Sequence, residues 1–129
     1  MDLGAFSISL PVSDLARSRE FYESLGFTVV GGDADDGYLM LSQGRTLVGI
    51  FCFEGMDFDA PMLTFNPGWT NDRTESAAFT DVREVSRRVR AAGITPERDC
   101  DPGGSGPDHV VLLDPDGHRI LVDQFVDAP

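Results

Sequence analysis

Two stretches of the chain superpose at an offset of 67 residues: Asp14 on Asp81, Leu15 on Val82, Gly26 on Gly93 and Phe27 on Ile94. An internal repeat means that each copy is one supersecondary unit, and that neither copy can bury its apolar surface alone. In the first copy Phe6, Ile8, Leu10 and Val12 alternate with Ser7, Ser9 and Pro11, the period of a strand with one apolar and one small polar face. Pro11 on the polar face suits a strand end or an edge. A helix follows, capped at Ser13 or Asp14, with Leu15, Tyr22 and Leu25 in an apolar stripe, Phe21 beside them and Gly26 as terminator. Residues 27–30 resume as a strand, 31–37 form an acidic turn, and 38–42 with 46–53 read as a hairpin across Gln43-Gly44-Arg45.

The second copy is predicted to start with a strand at 76–79. Its helix opens at Asp81, with Val82, Val85, Val89 and Ala92 on one stripe, and ends at Gly93; a strand segment begins at Ile94. Strands at 109–113 and 119–125 close the chain around Asp114-Pro115-Asp116-Gly117, a turn with Pro at its second position and Gly at its fourth. The expected architecture is therefore α+β: two βαβββ modules forming a curved, partly open sheet around a central cavity, with the helices outside. The 129 residues make a single domain, with module one at about 4–54, a Pro/Gly/Asp-rich connector at 55–73 and module two at about 74–126.

Charge narrows the partners. Asp and Glu number 22 against 10 basic residues, a net charge of −12, which repels phosphate backbones and anionic lipid and leaves nucleic acid and membrane surfaces as poor partners. A cationic small molecule is favoured. All ten basic residues are Arg, so a Schiff-base lysine, a phosphate-loop lysine and a Ser-Lys nucleophile are all excluded. The apolar runs, such as 110–113, fall far short of the ~20 residues that cross a bilayer. With no charged-then-apolar leader pattern at the start, the expected compartment is the cytoplasm. Cys52 and Cys100 are isolated and read as reduced thiols, Cys52 as a small packed hydrophobe and Cys100 as a poor nucleophile among acidic neighbours.

Leu10-Pro-Val-Ser-Asp-Leu15 with Ser18, Phe21-Tyr22 and Leu25-Gly26-Phe27 resembles the opening module of the vicinal oxygen chelate superfamily. Asp114-Pro-Asp-Gly117 and the strand after it resemble its closing hairpin, and Met62 to Trp69 is similar to a subgroup of bacterial members. That superfamily holds glyoxalases, extradiol dioxygenases, antibiotic-resistance enzymes, epimerases and metal-free bleomycin-binding proteins. Its catalytic members hold a divalent metal through His, Glu or Gln on four cavity-facing strands. Carried over, those positions fall on Ser7, Gly49, Thr74 and Leu121, none of which offers imidazole, carboxylate or thiolate. The resemblance thus implies no metal, no other cofactor and no catalytic residue, with the enzyme question leaning to no, and a homodimer as in short members of the family. A displaced metal pair, Glu75 with Asp123, is the alternative, and would make the chain a metal-dependent lyase or dioxygenase of the glyoxalase type.

The candidate ligand site is Ser7 and Ser9 on the first strand, Phe51 and Phe53 on the fourth, Leu121 and Asp123 on the last, and Trp69 and His109 at the mouth between the modules. Serines offer hydroxyl hydrogen bonds, the aromatics stack on planar or cationic groups, and Asp123 can pair with a cation unless Arg119 neutralises it. His118, after the turn glycine, is expected in solvent, and no Gly-x-Ser-x-Gly elbow supports a Ser-His-Asp triad. The function expected is metal-free binding of a small aromatic or cationic molecule of the bleomycin-resistance type; a module with a collapsed cavity is a third reading.

Overall fold

The computed structural model describes residues 1–129. The chain is α+β, with seven strands and two helices. In order these are β1 (Ala5–Pro11), α1 (Leu15–Ser24), β2 (Thr28–Asp33), a short 3-10 turn (Ala34–Asp36), β3 (Tyr38–Gln43) and β4 (Thr46–Phe51). β5 (Met62–Asn66), α2 (Val82–Ala91), β6 (Asp108–Leu113) and β7 (Arg119–Gln124) follow. The chain divides into two compact units, Ser7–Met62 and Met1–Phe6 with Leu63–Pro129.

In the unit Ser7–Met62, β4 is the hub. It pairs parallel with β1, placing Ser9 beside Gly49 and Pro11 beside Phe51, and antiparallel with β3, placing Met40 beside Gly49 and Tyr38 beside Phe51. β2 pairs antiparallel with β3 through a bulge between Val29 and Gly31. The expected acidic turn at 31–37 is shorter than the sequence suggested, because β2 runs on through Gly32 and Asp33. Leu39, Leu41, Val48 and Ile50 form the core of this unit, and Leu15 and Tyr22 of α1 pack on it with Ile8, Leu10 and Val12. Asp14 caps α1 by accepting from the Arg17 N–H at 3.1 Å. The predicted stripe is only half right: Leu15 and Tyr22 pack, whereas Phe21 and Leu25 are exposed. Phe21 lies too far round the helix to reach the sheet, and Leu25 is the cap residue past its end.

In the other unit β7 is the hub, parallel to β5 and antiparallel to β6. Val82, Val85 and Val89 of α2 pack on Val110 and Val122 as the repeat requires. Gly26 and Gly93 both take left-handed φ, +96° and +86°, after helices that end at equivalent points. Two expectations fail here. The strand at 76–79 is absent, and the first strand of this unit is β5, inside the stretch read as connector. The strand expected from Ile94 is reduced to one bridge, Arg98 to Val111.

The registers give the reason for the first failure. Ser9 beside Gly49 corresponds to Thr64 beside Leu121, an offset of 55 between the first strands, whereas the helices are offset by 67. The extra twelve residues lie between β5 and α2. They form a strap in which Trp69 bridges Glu75, the Ser76 N–H donates to the Gly68 carbonyl at 2.8 Å, and the Thr80 N–H donates to that of Asp2 at 3.0 Å.

Asp81 stands before α2 but makes no capping bond. Gln124, fully buried on β7, takes over: its Oε1 accepts from the Val82 N–H at 2.8 Å, and its Nε2 donates to Asp81 and to the Val126 carbonyl, each at 3.0 Å. The Asp81 carboxylate also pairs with Arg83, whose buried guanidinium donates to the Gly106 carbonyl at 2.6 Å and so pins the Gly/Pro-rich loop to the helix.

Candidate functional site

Each unit has a sheet face that its own helix does not cover, and strand alternation decides what stands on it. In the unit Ser7–Met62 this face carries Ser7, Ser9 and Pro11 of β1, Leu47, Gly49 and Phe51 of β4, and Tyr38, Met40 and Ser42 of β3. Ser7 and Ser9 are buried. The Phe51 ring stacks on Tyr38 at 5.7 Å with 7° between planes, and meets Phe58 edge-on at 5.6 Å. It also folds back over Gly49: a Cβ there would lie 2.7 Å from the ring and 3.0 Å from the Met40 sulfur. Gly49 is therefore a space occupied by an aromatic ring. Phe53 lies beyond the end of β4 and is exposed.

In the other unit the uncovered face carries Thr64 and Asn66 of β5, Arg119, Leu121 and Asp123 of β7, and His109, Val111 and Leu113 of β6. Asp123 faces His109 across the β6–β7 ladder, and Asn66 fixes its backbone by donating to the Asp123 carbonyl at 2.9 Å. The Asp123 carboxylate accepts no hydrogen bond and makes no ion pair, and burial pushes its pKa up, with His109 and then Arg98 pulling the other way. Arg119, the expected rival, donates instead to Glu97 at 2.7 Å. Trp69 follows the turn after β5, and its indole N–H is buried without a hydrogen-bond partner.

Other acidic groups are tied down. Arg98 and two backbone N–H groups hold the Asp108 carboxyl far below the usual range, and Ser86 and Arg90 lower that of Asp99. Burial and then Asp99 push the Cys100 thiol up, as expected of a thiol that packs in the core rather than reacts.

The profile of the glyoxalase/bleomycin resistance protein/dioxygenase superfamily matches residues 4–122. The chain belongs to that superfamily. No curated protein matches it. Among solved structures, a superfamily member from Vibrio splendidus 12B01 is 16% identical over 92% of this chain and 96% of its own, with a TM-score of 0.61. A Legionella pneumophila chain described as an NAD-dependent benzaldehyde dehydrogenase is 19% identical over 93% and 98%, with a TM-score of 0.70. A hypothetical protein from Bacillus halodurans C-125 is 14% identical over 95% and 94%, with a TM-score of 0.64. At such identities the likeness is one of fold. No helix is long and apolar enough to cross a membrane.

The divalent metal of the superfamily's catalytic members does not suit these side chains. With β5 in its observed register, offset by 55 from β1, the counterpart of Ser7 moves from Thr74 to Met62, so the set becomes Ser7, Gly49, Met62 and Leu121. A hydroxyl, a glycine, a thioether and an alkyl group make no site for Zn, Ni, Fe or Mn, which need imidazole, carboxylate or thiolate. Glu75 is exposed in its bridge to Trp69, whereas Asp123 sits within the β6–β7 ladder. The one cluster of three groups able to meet a cation, Asp114, Asp116 and His118, is in the closing hairpin turn, with His118 in solvent as expected.

Proposed function

We propose that this superfamily member binds a small organic ligand, aromatic or cationic, without a resident divalent metal, and sequesters it rather than transforms it. The observation that carries this reading is the side-chain set on the uncovered faces. The positions that would ligate a metal hold Ser7, Gly49, Met62 and Leu121, while beside them stand a stacked aromatic pair, Tyr38 and Phe51, and an unpartnered carboxylate, Asp123. Flat apolar surface with a few placed polar groups is what small-molecule sites are made of. Ser7, Ser9, Phe51, Phe53, Trp69, His109, Leu121 and Asp123 are the proposed contacts. The net charge of −12 draws cations and repels anionic thioester or phosphate substrates. Because the superfamily's name includes bleomycin resistance, bleomycin is the first ligand to try. The chain is proposed to act as a homodimer, so light scattering at micromolar concentration gives the mass of two chains; the mass of one overturns that.

The test is thermal denaturation of EDTA-treated protein with bleomycin and with a panel of smaller aromatic cations. A ligand that binds the folded state raises the midpoint by mass action, about 2.7 kcal/mol at a hundred times its Kd. The reading predicts such a rise in EDTA. Stabilisation that appears only after a divalent metal is restored would instead support a displaced-metal enzyme.

A further inference from the structure

We infer that Asn66 and Asp123, with His109 across the ladder, form a subsite for a protonated amine on the ligand. The inference rests on the small-molecule-binding reading and names the chemical group that one part of that site takes.

The three residues occupy one row across adjacent strands, Asn66 on β5, Asp123 on β7 and His109 on β6, on the face away from α2. The register pairs the equivalent row of the other unit from Pro11, Phe51 and Tyr38, which carries no charge at neutral pH. One repeat presents aromatic surface at this row, and the other presents a carboxylate and an imidazole.

That carboxylate is unlike the chain's other perturbed acids. Glu84, Asp99, Asp108 and Asp114 are each held by an Arg, His, Ser or backbone donor, and each is shifted down. Asp123 alone is shifted up by burial, with its carboxylate accepting no hydrogen bond while Asn66 locks the main chain behind it. The charged groups around it are already engaged. Arg98 pairs with Asp108 and donates to the His109 carbonyl, and Arg119 pairs with Glu97. Glu75 is exposed beside Trp69, and Asp81 on the α2 side is tied to Arg83 and Gln124. A half-buried carboxylate without a donor is costly unless something supplies one. An ammonium or amidinium supplies both the donor and the charge.

His109 borders the subsite. Directly opposed side chains on antiparallel strands have Cβ atoms about 4.5–5.5 Å apart, so its ring stands beside the Asp123 carboxylate, and that ring makes no hydrogen bond of its own.

The experiment uses 4-phenylbutylammonium and its neutral counterpart 4-phenylbutanol as probes, titrated calorimetrically into the full chain at pH 8. The wild type should bind the ammonium at least tenfold more tightly than the alcohol. Asp123→Asn should make the two probes equal by weakening the ammonium alone. Carboxyl carbon shifts in the wild type provide the same test without a variant: the ammonium should lower the Asp123 midpoint and the alcohol should leave it in place. Equal binding of the probes by the wild type, or a preference that survives Asp123→Asn, overturns the subsite and leaves ligand binding standing. No binding of either probe removes both.

Discussion

Gly49 is where the packing argument can be put under most strain. Adding a methyl group there by Gly49→Ala puts a Cβ 2.7 Å from the Phe51 ring and 3.0 Å from the Met40 sulfur. The Met40 side chain can yield, but the Phe51 ring is held between Tyr38 at 5.7 Å and Phe58 at 5.6 Å. Forcing it away costs about 1–3 kcal/mol of overpacking. Loss of the two aromatic contacts adds about 0.5–1.5 kcal/mol each. Against this stands about 0.5–1 kcal/mol gained by replacing a strand glycine with alanine. The net expectation is a destabilisation of about 1–5.5 kcal/mol, read as a lower urea midpoint at unchanged slope. Phe51→Leu should be milder by itself, and in the double variant Gly49→Ala should cost little, because the obstructing ring is gone. If Gly49→Ala is neutral or stabilising in the wild type, or if its cost persists with Phe51→Leu, the ring does not occupy the glycine's space.

Gln124→Leu strands the Val82 N–H and removes a donor from Asp81, and should cost about 2–4 kcal/mol in urea titration; a neutral result would deny that β7 caps α2. Asp123 is shifted up from 3.8 by burial, so the folded chain holds its proton more tightly than the unfolded chain, and wild-type stability should rise as pH falls towards 3.8 through that window. Asp123→Asn should abolish this rise. The loss of stability below 3.8, where the lowered carboxyls of Asp99, Asp108 and Asp114 take up protons, should remain. Thr64→His with Leu121→Glu places two metal donors on adjacent strands of the uncovered face, and should create divalent-metal affinity measurable by calorimetry; unchanged affinity would show that the two side chains do not share that face.

The parts of the fold legible in the sequence were those written in strong local chemistry. Asp14, Gly26 and Gly93 bound the helices through capping, and Asp114-Pro-Asp-Gly117 closes its turn with the Gly117 N–H donating to the Asp114 carbonyl at 3.0 Å. β5 was illegible for a physical reason. Met62–Asn66 is five residues long, stands between Pro61 and Pro67-Gly68, and puts the polar Thr64 in a buried position while Leu63 is exposed, so its alternation reads backwards. The repeat at 67 then displaced the expected strand into the strap. Gln124 was missed because a glutamine at a strand end carries no signal until the helix it caps is in place. Of the site, alternation alone gave the shared face of Leu121 and Asp123, and that of Gly49 and Phe51. The engagement of Arg119 with Glu97, which leaves the Asp123 carboxylate unpartnered, needed three dimensions.

The claim that this chain presents Ser7, Gly49, Met62 and Leu121 where the superfamily's catalytic members hold metal ligands is tested most directly by metal analysis of the chain purified without added metal. The account predicts far less than one Zn, Ni, Fe or Mn per chain, with any trace removed by Asp114→Asn in the exposed turn. One equivalent per chain that survives Asp114→Asn would contradict it.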